Sequence, residues 1–269
     1  MRTKRALGML AKLCLLCLFA LLPTDAAGTQ PVSVRMAAPA AAVELLAPEE
    51  VLPPAPAEIP AAPEPEPEPP RPPEPPEGPV EADYFADAVF LGNSRTEGLS
   101  LYSGLDTPVY LHSVGASVYS VLHHKTEETE EGKITLMDRL DQLEFAKLYI
   151  MLGVNELGWA EPEKYERYYG EILERVRENH PDARIALQSI LPVSRRQEAK
   201  KTYVNNSRID EYNAVVERLA EEWGCTYLDV AAAVEDEEGF LPSEFTGDGV
   251  HMNIRGSKAW LEFLLNNPI

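Results

Sequence analysis

Cysteine is scarce in this chain of 269 residues, which contains only three. Cys14 and Cys17 lie within an apolar N-terminal stretch, so Cys225 stands alone in the rest of the sequence. If that stretch is removed, no disulfide can form within the chain, and the fold must rely on a hydrophobic core. Cys225 lies in the apolar run "GCTYLDV", where we expect a buried, unreactive thiol rather than a nucleophile.

Positively charged residues are outnumbered, since 24 Lys and Arg stand against 44 Asp and Glu, which gives a formal net charge of -20 at pH 7. Beyond the N-terminus, no basic run is longer than the pairs Arg195-Arg196 and Lys200-Lys201. Proteins that bind DNA or RNA need clustered Lys and Arg side chains to neutralise phosphates. A nucleic-acid partner is therefore excluded, and the acidic balance favours solubility.

A long apolar run is missing as well, since the run at residues 13–22 has only ten residues, whereas a membrane-spanning helix needs about 20. A basic start, "MRTKR", precedes this run, and Pro23 and the small residues "TDAAG" follow it. This layout is typical of a secretory signal peptide over residues 1–26, with an uncleaved N-terminal anchor as the alternative. We therefore expect an extracellular or cell-surface protein whose N-terminal segment would allow association with the cell envelope.

Proline is concentrated in one region, since 17 of the 24 prolines fall between Ala27 and Pro79. Alternating Pro and Glu, as in "PEPEPEPP", removes backbone donors, favours extended polyproline II geometry and repels itself. The pattern predicts a disordered spacer over residues 27–80, with a Pro-rich recognition motif as the alternative. The folding unit is then residues 81–269, which is ample for one domain.

Within that unit, short apolar runs alternate with amphipathic helical stretches. Near-continuous apolarity is typical of strands buried on both faces of a parallel sheet. The runs read as strands cover residues 87–92, 108–114, 146–153, 183–191 and 225–230. The alternation predicts an α/β domain, a three-layer α/β/α sandwich with a parallel sheet.

Chemically useful residues follow these strands, where open α/β sheets form their sites. Ser94 lies in "LGNSRTEG", Gly115 in "SVGAS" and Asn155 in "LGVNELG". Asp248 and His251 lie three residues apart in "FTGDGVHMN" near the C-terminus. Together they offer the parts of an acyl-transfer site.

Elementary chemistry assigns a role to each of these residue types. A serine hydroxyl needs a base, which neutral imidazole provides near pH 7, and the imidazole needs a carboxylate behind it. The oxyanion of a tetrahedral intermediate needs donors such as backbone N–H groups and an amide side chain. Ser94, His251 and Asp248 fit the first set, and Gly115 and Asn155 fit the second.

These four segments, in this order, resemble the sequence blocks of the SGNH or GDSL hydrolases over residues 90–253. The resemblance implies a flavodoxin-like sandwich and ester hydrolysis through an acyl-enzyme without a metal or cofactor. It implies a catalytic triad of Ser94, Asp248 and His251. It also implies an oxyanion hole from the N–H groups of Ser94 and Gly115 and the side chain of Asn155. The substrates we expect are short acyl esters of small molecules or of extracellular or cell-envelope carbohydrates.

Two positions depart from the family pattern, which usually has Asp at both. The nucleophile is preceded by Asn93, and Asn155 is followed by Glu156. Neither change removes a triad or oxyanion residue, but both leave open the hydrogen bonds around the site. The common "G-x-S-x-G" elbow of α/β-hydrolases is absent, which disfavours that fold.

Other interpretations of the same residues stay open at this point. Ser94 and Gly115 could be turn residues, His251 a packed or capping histidine, and Asn155 a helix cap. The domain could be a catalytically silent module that binds glycans or anchors a protein. A lipase, a lysophospholipase or an acyltransferase would use the same site residues.

Overall fold

A computed structural model describes residues 75–269. Its centre is a sheet of five parallel strands, which are β1 Ala88–Gly92, β2 Val109–His112, β5 Lys147–Met151, β6 Arg184–Gln188 and β7 Thr226–Leu228. Their order across the sheet is β2-β1-β5-β6-β7. The register places Gly92 opposite His112 on one side and opposite Met151 on the other.

Helices connect the strands and cover both faces of the sheet. They are α1 Ser94–Tyr102, α2 Val118–His123, α3 Leu136–Leu140, α4 Glu163–Asn179, α5 Arg195–Glu198, α6 Asn206–Glu222, α7 Val230–Val234 and α8 Ile254–Asn266. Two short 3-10 helices cover Ala82–Phe85 and Ser243–Phe245.

Two hydrophobic cores form because successive strand side chains point to opposite faces of the sheet. Val89 and Leu91 of β1 pack with α2, α3, α4 and α6 on one face. Ala88 and Phe90 pack with α1, α7 and α8 on the other face. The prediction of a three-layer α/β/α sandwich with a parallel sheet is confirmed.

One pair of strands lies outside the five apolar runs. The polar run "KTEETEEGK" and the two residues after it form an antiparallel hairpin of β3 Lys125–Thr129 and β4 Gly132–Thr135. Its strands are exposed or half-buried for most of their length, so no alternation of apolar residues marks them in the sequence.

The predicted signal peptide, residues 1–26, and residues 27–74 of the predicted spacer lie outside the described residues. At the start of the described part, the Val80 N–H donates to the Leu265 carbonyl of α8 at 2.8 Å. No helix within residues 75–269 is long and apolar enough to cross a membrane.

Candidate active site

Ser94 lies in a tight turn between β1 and α1. Gly92 ends the strand, and a Cβ atom there would lie only 2.8 Å from the Met151 carbonyl, so the position requires glycine. Asn93 caps α1, because its side-chain oxygen accepts the Arg95 N–H at 2.9 Å. Asparagine therefore supplies the acceptor that the family's usual aspartate could supply, and Ser94 becomes the first residue of the helix.

Asp248 and His251 lie on one loop that the fold brings to Ser94. A backbone bridge between Thr246 and Met252 closes this loop. The Ser94 Oγ lies 2.9 Å from Nε2 of His251, and Nδ1 of His251 lies 2.6 Å from Oδ2 of Asp248. His251 is 157 positions away from Ser94 in the sequence, yet it links Ser94 to Asp248 through two hydrogen bonds.

The electrostatics of Asp248 determine which nitrogen of His251 carries the proton. Partial burial acts to raise the pKa of Asp248, but hydrogen bonds from the backbone N–H and ring of His251 and from the Val250 N–H lower it well below its ordinary value. Asp248 is therefore ionised at neutral pH and accepts the Nδ1–H. This leaves Nε2 of His251 as an acceptor that faces the Ser94 hydroxyl.

Directly after Ser94 comes a fully buried cation that sequence reasoning missed. Arg95 donates from Nη1 to the Leu191 carbonyl at 2.6 Å, whereas its Nε and Nη2 have no partner among the described residues. Burial lowers the pKa of Arg95 to about 10, and the charge of Asp248 acts in the opposite direction. Arg95 is still protonated at neutral pH and attracts the Asp248 carboxylate.

Two backbone N–H groups at the end of the sheet are free to bind an oxyanion. That of Ser94 is the first of α1 and has no carbonyl partner within the helix. Gly115 lies in an exposed turn with a φ of +77°, which favours glycine. Ala116 donates to the Ser113 carbonyl in this turn, while the Gly115 N–H makes no hydrogen bond to the described residues.

Asn155 does not cap a helix, so that interpretation is wrong. The residues after it form turns, and the next helix, α4, begins only at Glu163. Its side-chain amide donates to the Ala116 carbonyl at 2.8 Å. This bond joins the loop after β5 to the loop after β2 and leaves the second N–H of the amide available.

Glu156 makes a second bond between the same two loops. Its carboxylate is buried, and Oε1 accepts the Val118 N–H at the start of α2 at 2.7 Å. Burial raises the pKa of Glu156 to about 7, although this and other backbone N–H donors oppose it. The other oxygen, Oε2, has no partner among the described residues. The departure from the family's aspartate thus places a titratable group behind the candidate oxyanion site.

Three other histidines and the thiol take other positions. His123 and His124 pack against Tyr119, and His180 packs against Phe145 at the end of α4. Cys225 is half-buried, and burial raises the pKa of its thiol, which disfavours a thiolate nucleophile. Across residues 75–269, no group of three or more His, Cys, Asp or Glu side chains could hold a metal ion.

A cleft of about 600 Å³ lies next to the loop that carries Asp248 and His251. It is lined by Thr246 and Gly247 and by Arg195 and Arg196, but by no triad side chain. Arg195 is paired with Asp236. A second cleft, of about 550 Å³, is lined by His251 itself.

Comparison with protein families identifies the domain. The family model described as GDSL-like Lipase/Acylhydrolase matches residues 90–259, which is more than half of the chain. The chain belongs to this family. The match covers Ser94, Gly115, Asn155, Asp248 and His251. None of the curated proteins matches the sequence.

Solved structures share the fold of this GDSL-like domain at low sequence identity. A protein of Streptococcus pneumonia, provisionally assigned as a platelet activating factor, is 23% identical with a TM-score of 0.54, over 66% of this chain and 81% of that chain. A provisionally assigned acylhydrolase of Bacteroides fragilis is 19% identical with a TM-score of 0.50, over 65% and 82%. An acetyl xylan esterase is 14% identical with a TM-score of 0.50, over 66% and 96%. At these identities the likeness shows the fold alone.

Proposed function

We propose that this GDSL-like domain is a serine-dependent carboxylic ester hydrolase that acts through an acyl-enzyme. The observation that supports this most is the hydrogen-bonded chain from Ser94 through His251 to Asp248. Membership of a family of lipases and acylhydrolases supports the same reaction type.

In the acylation step, Ser94 Oγ attacks the carbonyl carbon of the ester while Nε2 of His251 takes the hydroxyl proton. The carbonyl oxygen becomes an oxyanion, which the N–H groups of Ser94 and Gly115 and the Asn155 amide stabilise. Asp248 stabilises the imidazolium that forms. The intermediate collapses when the alcohol oxygen leaves with the proton from His251, and the acyl group stays on Ser94.

In the deacylation step, water takes the place of the alcohol. Nε2 of His251 removes a proton from this water, the resulting oxyanion uses the same donors, and Ser94 Oγ leaves with the proton. The products are a carboxylic acid and the free enzyme. Both steps use only the side chains and N–H groups named above, together with water.

The substrates we propose are short acyl esters of extracellular or cell-envelope carbohydrates. The signal-peptide layout of residues 1–26 and the Pro-rich segment after it support a location where such esters occur. An acetyl xylan esterase has the same fold, which supports the proposal that a domain of this fold can act on an acylated polysaccharide.

A fluorophosphonate probe tests the proposal, because it labels only an activated serine. We expect labelling of the wild-type protein and none of Ser94→Ala, with Ser100→Ala as the matched control on the same helix. Chromogenic esters from acetyl to octanoyl then report turnover, and acetate release from acetylated glycans reports the substrate class. A folded wild-type protein that neither reacts with the probe nor hydrolyses any of these esters would contradict the proposal and favour the alternative of a catalytically silent module.

A further inference from the structure

The cleft of about 550 Å³ next to the triad has an apolar side and a catalytic side. Tyr102, at the end of α1, and Ile254, at the start of α8, form the apolar side together with Met252. Asp248 and His251 form the catalytic side. Tyr102 is 43% exposed and Ile254 is 56% exposed, so both side chains are accessible to a bound ligand.

We propose that this cleft binds the leaving alcohol of the ester, and that Tyr102 and Ile254 determine which alcohol is accepted. The inference rests on the proposed function, since it uses the direction of proton transfer. The departing oxygen takes its proton from Nε2 of His251, so the alcohol must lie within hydrogen-bond reach of that atom. The carbonyl oxygen is bound by the donors at Gly115 and Asn155 instead, and neither of these residues lines this cleft.

The chemistry of the cleft selects a neutral alcohol. No Lys or Arg side chain is among the described residues that line it, whereas the ionised Asp248 is. A phosphate-bearing alcohol would find no cation in this lining and would be repelled by the carboxylate. The net charge of -20 also disfavours binding of an anionic alcohol.

The shape of the apolar side favours a ring with one hydrophobic face. The exposed Tyr102 ring offers a flat surface, and the exposed Ile254 side chain adds apolar surface to the same cleft. A pyranose presents a face of C–H groups to such a surface and keeps its hydroxyls at the open rim, in water. The alcohol that we assign to the cleft is therefore a neutral pyranose stacked on Tyr102.

A second exposed tyrosine provides a matched control. Tyr119 on α2 is 39% exposed and packs against Tyr168 at a ring distance of 5.1 Å. It belongs to the face of the sheet that carries α2 and α4, whereas Tyr102 belongs to the face that carries α1 and α8. Replacing Tyr119 removes a similar ring without changing the surface next to His251.

The experiment uses esters that vary the alcohol and the acyl group separately. Methyl acetate and an acetylated methyl xylopyranoside share the acyl group, while methyl acetate and methyl butyrate share the alcohol. In Tyr102→Ala we expect the kcat/KM ratio of the sugar ester to methyl acetate to fall about tenfold, because the stacking surface is lost. The acetate-to-butyrate ratio should not change. Tyr102→Phe should keep the wild-type ratios, and so should Tyr119→Ala.

Free methyl xylopyranoside, the product alcohol, gives an independent readout. It should inhibit acetate release from methyl acetate in the wild type and inhibit it more weakly in Tyr102→Ala and Ile254→Ala. A change of the acetate-to-butyrate ratio in Tyr102→Ala would instead make the cleft an acyl site and overturn the inference. So would a wild-type enzyme that hydrolyses methyl acetate but does not prefer the sugar ester, and this result leaves the proposed function intact. Absence of all turnover and of fluorophosphonate labelling would overturn both.

Discussion

Two buried charged side chains, Arg95 and Glu156, each directly follow a candidate site residue, but they differ in how pH affects them. Arg95 follows Ser94, is buried, and has a pKa that burial lowers to about 10. Glu156 follows Asn155, is also buried, and has a pKa that burial raises to about 7. The charge behind the triad is therefore constant around neutral pH, whereas the charge behind the oxyanion donors changes there.

The two halves of the site also differ in exposure. The side chains of Asp248 and His251 are 57% and 47% exposed and are held by hydrogen bonds of their own loop. The oxyanion half is held by the buried Glu156 and by the Asn155 amide, which join two loops. Changes to the triad should therefore affect rate far more than stability, while changes behind the oxyanion donors should affect stability as well.

Removing the nucleophile should have the largest effect on rate. Ser94→Ala should lower ester turnover by several orders of magnitude, while the Tm stays within a few degrees of wild type. Steady-state kinetics and a thermal melt measure both quantities, with Ser100→Ala as the control. Retention of a tenth of the wild-type turnover would remove Ser94 from the proposed mechanism.

Asp248→Asn should come next, with a loss on the order of 10⁴-fold in kcat, because the amide no longer fixes the His251 tautomer or stabilises the imidazolium. The wild-type rate should also fall on the acid side, since only the neutral imidazole accepts the Ser94 proton. Glu156→Gln should keep this acid limb. If the limb disappears in Glu156→Gln, it belongs to Glu156, and a flat wild-type profile would contradict His251 as the base.

Asn155 should contribute less than the triad. If its amide donates to the oxyanion, Asn155→Ala lowers kcat by roughly 10²–10³ with little change in KM. Asn155→Asp should be at least as harmful, because a carboxylate would face the developing negative charge. The kcat values of the two variants check this, and a fully active Asn155→Asp would exclude the oxyanion role.

Stability should depend on pH through Glu156 and not through Arg95. The raised pKa means that the native state keeps a proton that the unfolded state loses between about pH 4.5 and pH 7, so stability falls as pH rises through this window. The loss is about 3 kcal/mol at most for a change from 4.5 to about 7. Glu156→Gln cannot ionise, so its stability relative to wild type should increase through the same window.

Arg95→Met provides the matched comparison, because Arg95 stays charged throughout this range. Its stability relative to wild type should be constant from about pH 5 to about pH 8. Chemical denaturation of the two variants and the wild type at several pH values measures both differences. A constant difference for Glu156→Gln would contradict the titration of Glu156.

Much of the fold follows from local patterns of apolar residues. The five strands lie where near-continuous apolar runs predict them. The central strands β1, β5 and β6 are buried on both faces, which leaves little room for polar residues, whereas the edge strands β2 and β7 are only partly buried. The hairpin at 125–135 could not be predicted, because its polar strands carry no apolar alternation. Ser94, Gly115 and Asn155 could be predicted as site residues because each follows a predicted strand, and parallel strands end at the same edge of the sheet.

The sequence by itself determined the fold class and the candidate site residues, since apolar periodicity and strand-end polar residues are local properties of the chain. Only the tertiary structure decided that Arg95 and Glu156 are buried, because burial depends on elements distant in sequence, such as Leu191 beside Arg95 and α2 beside Glu156. It also decided that the Asn155 amide joins a neighbouring loop instead of capping a helix, and that Tyr102 and Ile254 share a cleft with His251. These contacts join residues that are far apart along the chain, and only the packing of the helices onto the sheet brings them together.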